Sequence, residues 1–168
     1  WDAYGVRGSV VAAVDLVKGL GICAGLKPIK VEGATGAIIT NFAGKAEAAL
    51  NELRQGQDFV YVHIESPDEA GHQGELEKKI WAIEQVDTEV VGRVIGALDQ
   101  FDDIRIMVVP DHRTPIAVRT HTSEPVPFLI YDKKHPYPSP VAGYDEESAL
   151  AGKFYESGPQ LMERFIKG

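Results

Sequence analysis

The fold is decided by one stretch of the chain, FVYVHIESPDEAGH at residues 59–72. Its first half is rich in β-branched and aromatic residues, which predicts a buried strand that begins at Phe59. The strand pattern breaks at Pro67, and Asp68 and His72 follow. We therefore expect a strand whose carboxyl end leads into a carboxylate and an imidazole.

A second stretch repeats this arrangement further along the chain. The apolar run from Arg105 to Val109 breaks at Pro110 and is followed by Asp111 and His112. In α/β proteins, ligands bind beyond the carboxyl ends of the strands. Two strands that both lead into Asp and His therefore predict one metal site at one edge of a sheet.

One more histidine, His121, precedes a third apolar run, Val126 to Tyr131. Each motif alone has an ordinary explanation, because an Asp–His pair four residues apart is commonly a surface contact on a helical turn. An isolated histidine is likewise more commonly a hydrogen-bonded polar side chain than a ligand. Their joint placement favours a metal site, and mixed carboxylate and imidazole donors suit manganese, zinc or iron better than calcium. The predicted metal ligands are Asp68, His72, Asp111, His112 and His121.

The composition is typical of one globular domain, which we predict to span residues 1–168. With 168 residues the chain is long enough for a real core, and 44% hydrophobic residues exclude a disordered or membrane protein. The formal net charge of -8 disfavours nucleic acid and anionic membranes as partners. An anionic substrate stays open, because bound divalent cations reverse the local potential.

The single cysteine, Cys23, rules out an internal disulfide and fits a reducing compartment, so we expect a cytoplasmic protein. Cys23 lies in an apolar segment, and we expect it to be a small buried residue rather than a nucleophile. The chain starts with Trp1 rather than Met and shows no signal-peptide pattern. We interpret it as processed, trimmed or part of a longer protein.

Strand and helix patterns alternate along the chain. A helix is expected from about Val10 to Gly19, with Ser9 as its N-cap. The other expected elements are a strand at 26–31 and helices at 41–55, at 74–101 and from Gly158 onward. The alternation predicts an α/β fold with a mostly parallel sheet and helices on both faces.

At these motifs the sequence resembles the cofactor-independent phosphoglycerate mutases, in particular their archaeal-type branch, within the alkaline phosphatase superfamily. The likeness covers nearly the whole chain, and the ordered set of motifs is more specific than any one of them. The segments that carry it are Val14–Gly21, Pro67–His72 with the helix Gly74–Ile80, Pro110–His112 and Thr120–Phe128.

This resemblance implies an alkaline phosphatase-like fold and two divalent metal ions, Mn²⁺ or Zn²⁺ ahead of Mg²⁺. It assigns Asp68, His72 and His121 to one ion, and Asp111 and His112 to the other. In the family, an N-terminal Asp and a nucleophilic Ser complete the second metal site, and no segment here matches either. We therefore expect the chain to be the C-terminal part of the metal-binding catalytic domain, inactive by itself.

The activity implied for the whole protein is that of a glycolytic isomerase, which interconverts 3-phosphoglycerate and 2-phosphoglycerate through a phosphoserine intermediate. Two alternatives stay open: another phosphatase or phosphomutase of the superfamily, which would share the ligands, and a non-catalytic α/β module. Pairing with a second copy is a further expectation, because a partial sheet exposes edges and apolar surface. Arg113 departs from the branch, where we expect proline after Asp111-His112.

Overall fold

The computed structural model describes residues 4–139 and 141–168 and groups them into two compact units. Unit 1 contains the described residues through Ala97 together with Thr114–Thr120. Unit 2 contains Leu98–Arg113 and His121–Gly168. The assignment of residues 1–168 to a single domain stays a prediction.

Unit 1 carries a parallel sheet, six helices and the segment Thr114–Thr120. Its elements are β1 (Gly8–Val11), α1 (Asp15–Cys23), β2 (Lys27–Ile29), α2 (Phe42–Arg54), β3 (Phe59–Val62), α3 (Ser66–Gln73), α4 (Leu76–Gln85), a π-helix (Val86–Val91) and α5 (Gly92–Gly96). Unit 2 contains a short 3₁₀ turn (Leu98–Gln100), β4 (Arg105–Val108), β5 (Leu129–Asp132), α6 (Glu146–Ala149) and α7 (Gly158–Lys167).

The sheet of unit 1 has the order β2-β1-β3, and both pairings are parallel. Its central strand is buried along its whole length. A Cβ built on Gly21 of α1 would lie 2.5 Å from Val10, whereas the hydroxyl of Ser9 donates to Glu52 of α2 at 2.6 Å. Because neighbouring strand residues point to opposite faces, α1 and α2 cover opposite sides of the sheet. The predicted α/β architecture is confirmed.

The helix expected at Val10–Gly19 is wrong in its first half. That half forms β1, and α1 begins at Asp15. The β-branched pair Val10-Val11 fits the face of a strand better than a helical turn, where side-chain rotation is restricted. In the first turn of α1, Asp15 pairs with Lys18, with an Nζ–Oδ1 distance of 3.2 Å.

Helix α2 agrees closely with its sequence pattern. The side chain of Asn41 accepts a hydrogen bond from the backbone N–H of Gly44 at 2.8 Å and caps the helix. Phe42 packs edge-on against Trp81 of α4, with ring centroids 5.9 Å apart, and forms a buried cluster with Ala46 and Val90. The long helix predicted at 74–101 is present but is interrupted by the π-helix.

The prediction for Cys23 is wrong. The thiol lies at the end of α1 and is exposed, as are its neighbours Leu20 and Ile22. The apolar character of this segment therefore does not correspond to burial within unit 1.

Unit 2 departs from the expected parallel arrangement. Its strands β4 and β5 pair antiparallel, with Arg105 opposite Asp132. The prediction that the two motif-bearing strands share one sheet is therefore wrong, because β3 and β4 belong to different sheets.

Among the described residues, no helix combines the length and the apolar character needed to cross a membrane.

Candidate metal centre

Helix α3 sets the geometry of the first predicted ligand pair. Pro67 lies in its first turn, where the missing N–H costs nothing, and Asp68 follows in the same turn. His72 comes four residues later, on the same helical face. Asp68 Oδ2 and His72 Nε2 lie 3.3 Å apart. Unit 1 thus brings two predicted ligands together.

That separation fits two donors on one cation. Zinc binds carboxylate oxygen and imidazole nitrogen at about 2.0–2.2 Å, and a tetrahedral angle then separates the donor atoms by roughly 3.4 Å. The pairing also has an ordinary explanation, since a neutral imidazole donates to a neighbouring carboxylate. The second polar atom of each side chain, Asp68 Oδ1 and His72 Nδ1, also has a partner, and these contacts bear on the choice between the two explanations.

Each ligand side chain has its second polar atom engaged by the segment 114–120. The hydroxyl of Thr114 donates to Asp68 Oδ1. His72 Nδ1 lies 3.0 Å from the carbonyl oxygen of Arg119. Because a carbonyl only accepts, this contact places a proton on Nδ1, and in the neutral imidazole Nε2 is then the atom with a lone pair. A backbone carbonyl on the second nitrogen is the common arrangement of metal-bound histidine.

Unit 2 gathers the other three predicted ligands. Asp111 and His112 follow β4, with His112 Nε2 lying 3.4 Å from Asp111 Oδ1. The rings of His112 and His121 stack at a centroid distance of 3.5 Å and an interplanar angle of 26°. The unit therefore holds a carboxylate and two imidazoles on irregular chain rather than on a helix.

Arg113 makes two hydrogen bonds that join the chain segments carrying these ligands. Its carbonyl accepts from the N–H of Thr122 at 3.1 Å, which joins the two segments in an isolated antiparallel bridge. Its Nε donates to the carbonyl of Pro125 at 2.7 Å. The departure from proline at this position therefore supplies a link within unit 2.

Sequence reasoning missed a buried ionic cluster at the end of β3. Lys45 has a side chain that is 0% exposed, and its Nζ donates to the carbonyl of His63 at 2.8 Å and to Glu65 at 2.9 Å. His63 Nδ1 lies 3.2 Å from the other oxygen of Glu65. The signal was present in the sequence, because Lys45 shares the apolar face of α2 with Ala49.

The charges of this cluster change the pKa of Glu65 strongly. Burial alone would raise the pKa of Glu65, but the neighbouring His63 and Lys45 outweigh burial and lower the pKa to about 2. Glu65 therefore carries its charge throughout the physiological range. Since Glu65 immediately precedes α3, the cluster fixes the turn from which the helix and its ligand pair start.

A parallel α/β sheet followed by an oriented Asp–His pair fits a metal-dependent enzyme domain. Comparison with known families agrees, because residues 2–166 match the Metalloenzyme superfamily, and the chain belongs to this family. The predicted alkaline phosphatase-like fold is thereby confirmed.

Individual relatives refine this assignment. The chain is 51% identical over 166 residues to a probable 2,3-bisphosphoglycerate-independent phosphoglycerate mutase of Geobacter sulfurreducens, covering 98% of this chain and 41% of that protein. It is 50% identical over 169 residues to the corresponding mutase of Methanothrix thermoacetophila, covering 99% and 43%. The chain thus spans about two fifths of the length of these curated relatives.

A solved structure supports the fold. A protein of Pyrococcus horikoshii superposes with a TM-score of 0.79 at 29% identity, covering 99% of this chain and 50% of that protein. The resemblance drawn from the motifs is confirmed, including its restriction to part of the longer relatives.

Proposed function

We propose that the chain is the metal-binding part of a phosphoglycerate mutase, which interconverts 3-phosphoglycerate and 2-phosphoglycerate through a phosphoserine. The observation that carries this proposal is the Asp68–His72 pair, whose donor atoms lie 3.3 Å apart while the segment 114–120 engages the other atom of each side chain. Support for the substrate comes from the relatives named above, which are described as phosphoglycerate mutases.

The chemistry of the donors supports divalent metal ions, with Mn²⁺ or Zn²⁺ as the proposed occupants. The proposed ligands are Asp68, His72, Asp111, His112 and His121. Two bound cations would stabilise both the attacking and the leaving oxygen of an in-line phosphoryl displacement. The contribution of this chain is to supply carboxylates and neutral imidazoles in fixed orientations.

The serine nucleophile is proposed to lie outside this chain. Two of its serines already have structural partners that suit a framework role. Ser9 donates to Glu52, and Ser66, which is 0% exposed, donates to the carbonyl of Ile38 at 2.5 Å. We therefore expect the purified chain to show no phosphoglycerate interconversion. Activity in a preparation from a host that lacks its own mutase would contradict this expectation.

The proposal is tested by calorimetric titration of Mn²⁺, and then Zn²⁺, into the metal-free chain. We expect binding that His121→Ala weakens by at least about tenfold, since one imidazole is lost. The matched control is His135→Ala, because His135 is 78% exposed and is not a proposed ligand. Absence of binding in the unchanged chain, or equal losses in both variants, would overturn the ligand assignment.

A second copy of the chain is a proposed partner, and the proposed location is cytoplasmic. The apolar face of α4 supports pairing, because Leu76, Ile80 and Ile83 are 58%, 49% and 52% exposed. Sedimentation over a range of concentrations should show a dimer that Ile80→Glu weakens. A monomer at every concentration would contradict pairing.

A further inference from the structure

Thr114 contacts both α3, the helix that carries the first ligand pair, and α4, the helix that follows it. The residue is only 4% exposed. Its hydroxyl donates to Asp68 Oδ1, and its carbonyl accepts from Lys79 Nζ at 2.5 Å. Asp68 lies 46 residues away along the chain and Lys79 lies 35 residues away. Thr114 is thus placed by tertiary packing and not by local sequence.

The approach of Thr114 to α3 requires a glycine. A Cβ on Gly71 would lie 2.6 Å from the carbonyl oxygen of Thr114 and 2.9 Å from its Cγ2. Backbone cannot give way easily at such a distance, so Gly71 is the residue that permits the contact. The crowding also limits rotation of the Thr114 side chain, which is already stiff because it is β-branched.

The same short segment orients the second ligand through a strained residue. Arg119 has a φ of 58°, the left-handed region that residues other than glycine rarely occupy. The N–H groups of Val118 and Arg119 both donate to the carbonyl of Pro115, at 3.0 and 2.8 Å. This tight turn keeps the Arg119 carbonyl beside His72 Nδ1. Strain of this kind persists only where the surrounding structure maintains it.

We infer that Thr114 is a positioning residue of the metal site: its hydroxyl holds Asp68 Oδ1 so that Oδ2 is the oxygen presented beside His72 Nε2. The inference rests on the proposed function, in which Asp68 and His72 are metal ligands. A carboxylate turns easily about its last bond, and either oxygen could otherwise face the cation. Partners that orient a ligand in this way typically change metal affinity by about 10–100-fold when they are removed.

The test compares three side chains at position 114 by calorimetric titration of Mn²⁺ into the metal-free chain. Thr114→Val keeps the shape and removes the hydroxyl, so we expect affinity to fall by about 10–100-fold. Thr114→Ser keeps the hydroxyl, and we expect its Kd for Mn²⁺ to lie within about threefold of that of the unchanged chain. This corresponds to a change in binding free energy of less than about 1 kcal/mol. Thr114→Ala takes the place of the valine variant if that variant fails to fold.

Thr88→Val is the matched control, since the Thr88 hydroxyl donates to the carbonyl of Glu84 within its own helical segment, and Thr88 is neither a proposed ligand nor a residue of the segment 114–120. It should leave metal affinity unchanged. Equal affinity in Thr114→Val, or a loss in Thr114→Ser as large as in Thr114→Val, would overturn the inference while leaving the proposed function intact. Absence of binding in the unchanged chain would instead overturn the proposed function, and this inference with it.

Discussion

The two units hold their proposed ligands in different ways. In unit 1, Asp68 and His72 lie on one helix, and the segment 114–120 engages the second polar atom of each. In unit 2, His112 follows a strand end and stacks on His121, and their orientation comes from contacts on irregular chain. The unit 1 pair is therefore oriented by a framework, whereas the unit 2 ligands depend on one another.

The two units also differ in how deeply their strands are buried. Strand β1 of unit 1 is fully buried, whereas β5 of unit 2 alternates between exposed and partly buried residues. Among the described residues of unit 2, the buried ones are Ile104, which is still 9% exposed, and Pro127. Because each fully buried large side chain contributes about 1.5–3 kcal/mol, unit 1 has the larger reserve of stability.

The largest expected effect comes from breaking the framework of unit 1 at Lys45. Lys45→Met leaves the charge of Glu65 buried without its cation, and we expect the free energy of unfolding to fall by about 3–5 kcal/mol. Urea unfolding followed by circular dichroism measures the loss. The control is Lys167→Met in unit 2, where the pair with Glu163 is more than half exposed and should contribute less than about 1 kcal/mol. An unchanged stability in Lys45→Met would show that the buried pair does not support unit 1.

The same cluster predicts a dependence of stability on pH. Glu65 has a folded-state pKa of about 2 against an ordinary value of 4.5, so the unfolded chain takes up the proton more readily. The stabilisation is therefore complete above about pH 5 and is lost as the pH falls towards 2, a total of about 3 kcal/mol for this side chain. Urea unfolding at pH 7, 5 and 3 should show the decline. Lys45→Met should show a shallower decline over that window, and parallel curves would refute the assignment to Glu65.

A smaller effect is expected at the contact between α3 and Thr114. Gly71→Ala places a methyl group 2.6 Å from a backbone oxygen, which should destabilise the chain by about 1–3 kcal/mol. Gly19→Ala is the matched helical control, since nothing lies within 4 Å of its Cβ position. It should stabilise by about 0.5–1 kcal/mol. Tolerance of alanine at position 71 would mean that the segment 114–120 moves freely, which would weaken the contrast between the units.

The smallest loss of stability is expected from removing the hydrogen bonds of Arg105 in unit 2. Arg105 Nε donates to Asp132 at 2.7 Å, and Nη1 donates to the carbonyls of Phe165 and Ile166 at the end of α7. Both members of the pair are partly exposed, so Arg105→Met should cost only about 1–2 kcal/mol in thermal unfolding. Arg105→Lys keeps the charge and should recover part of that loss. If Arg105→Met lost more stability than Lys45→Met, unit 2 rather than unit 1 would depend more strongly on its ionic contacts.

Local sequence signals were sufficient for several elements and for the grouping of neighbouring ligands. Asn41 marked the start of α2, and the apolar run at Phe59 marked β3. The spacing of Asp68 and His72 placed them on one helical face, because that spacing is itself the helical repeat. The direct neighbours Asp111 and His112 were certain to lie together.

Other features depend on contacts that no local pattern reveals. The valines of β1 favour a strand by their side-chain type but also extend the apolar pattern of the helix that follows, and parallel pairing with β2 and β3 makes them a strand. The position of Lys45 on the apolar face of α2 indicates burial, but its partners, Glu65 and the carbonyl of His63, lie 20 and 18 residues away and are not indicated by any local pattern. Thr114 reaches Asp68 because Gly71 leaves space for it, a fact of tertiary packing.

The interleaving of the two units has a consequence for biosynthesis. Unit 1 is left incomplete at Ala97, the chain then supplies residues 98–113 to unit 2, and Thr114–Thr120 return to unit 1. Domains generally fold as they emerge from the ribosome, at about 5–20 residues per second. The helix with Asp68 and His72 is therefore synthesised seconds before the segment that orients it. A nascent chain stalled before residue 114 would present these two side chains to cellular metal ions without the contacts that determine which atoms face the cation.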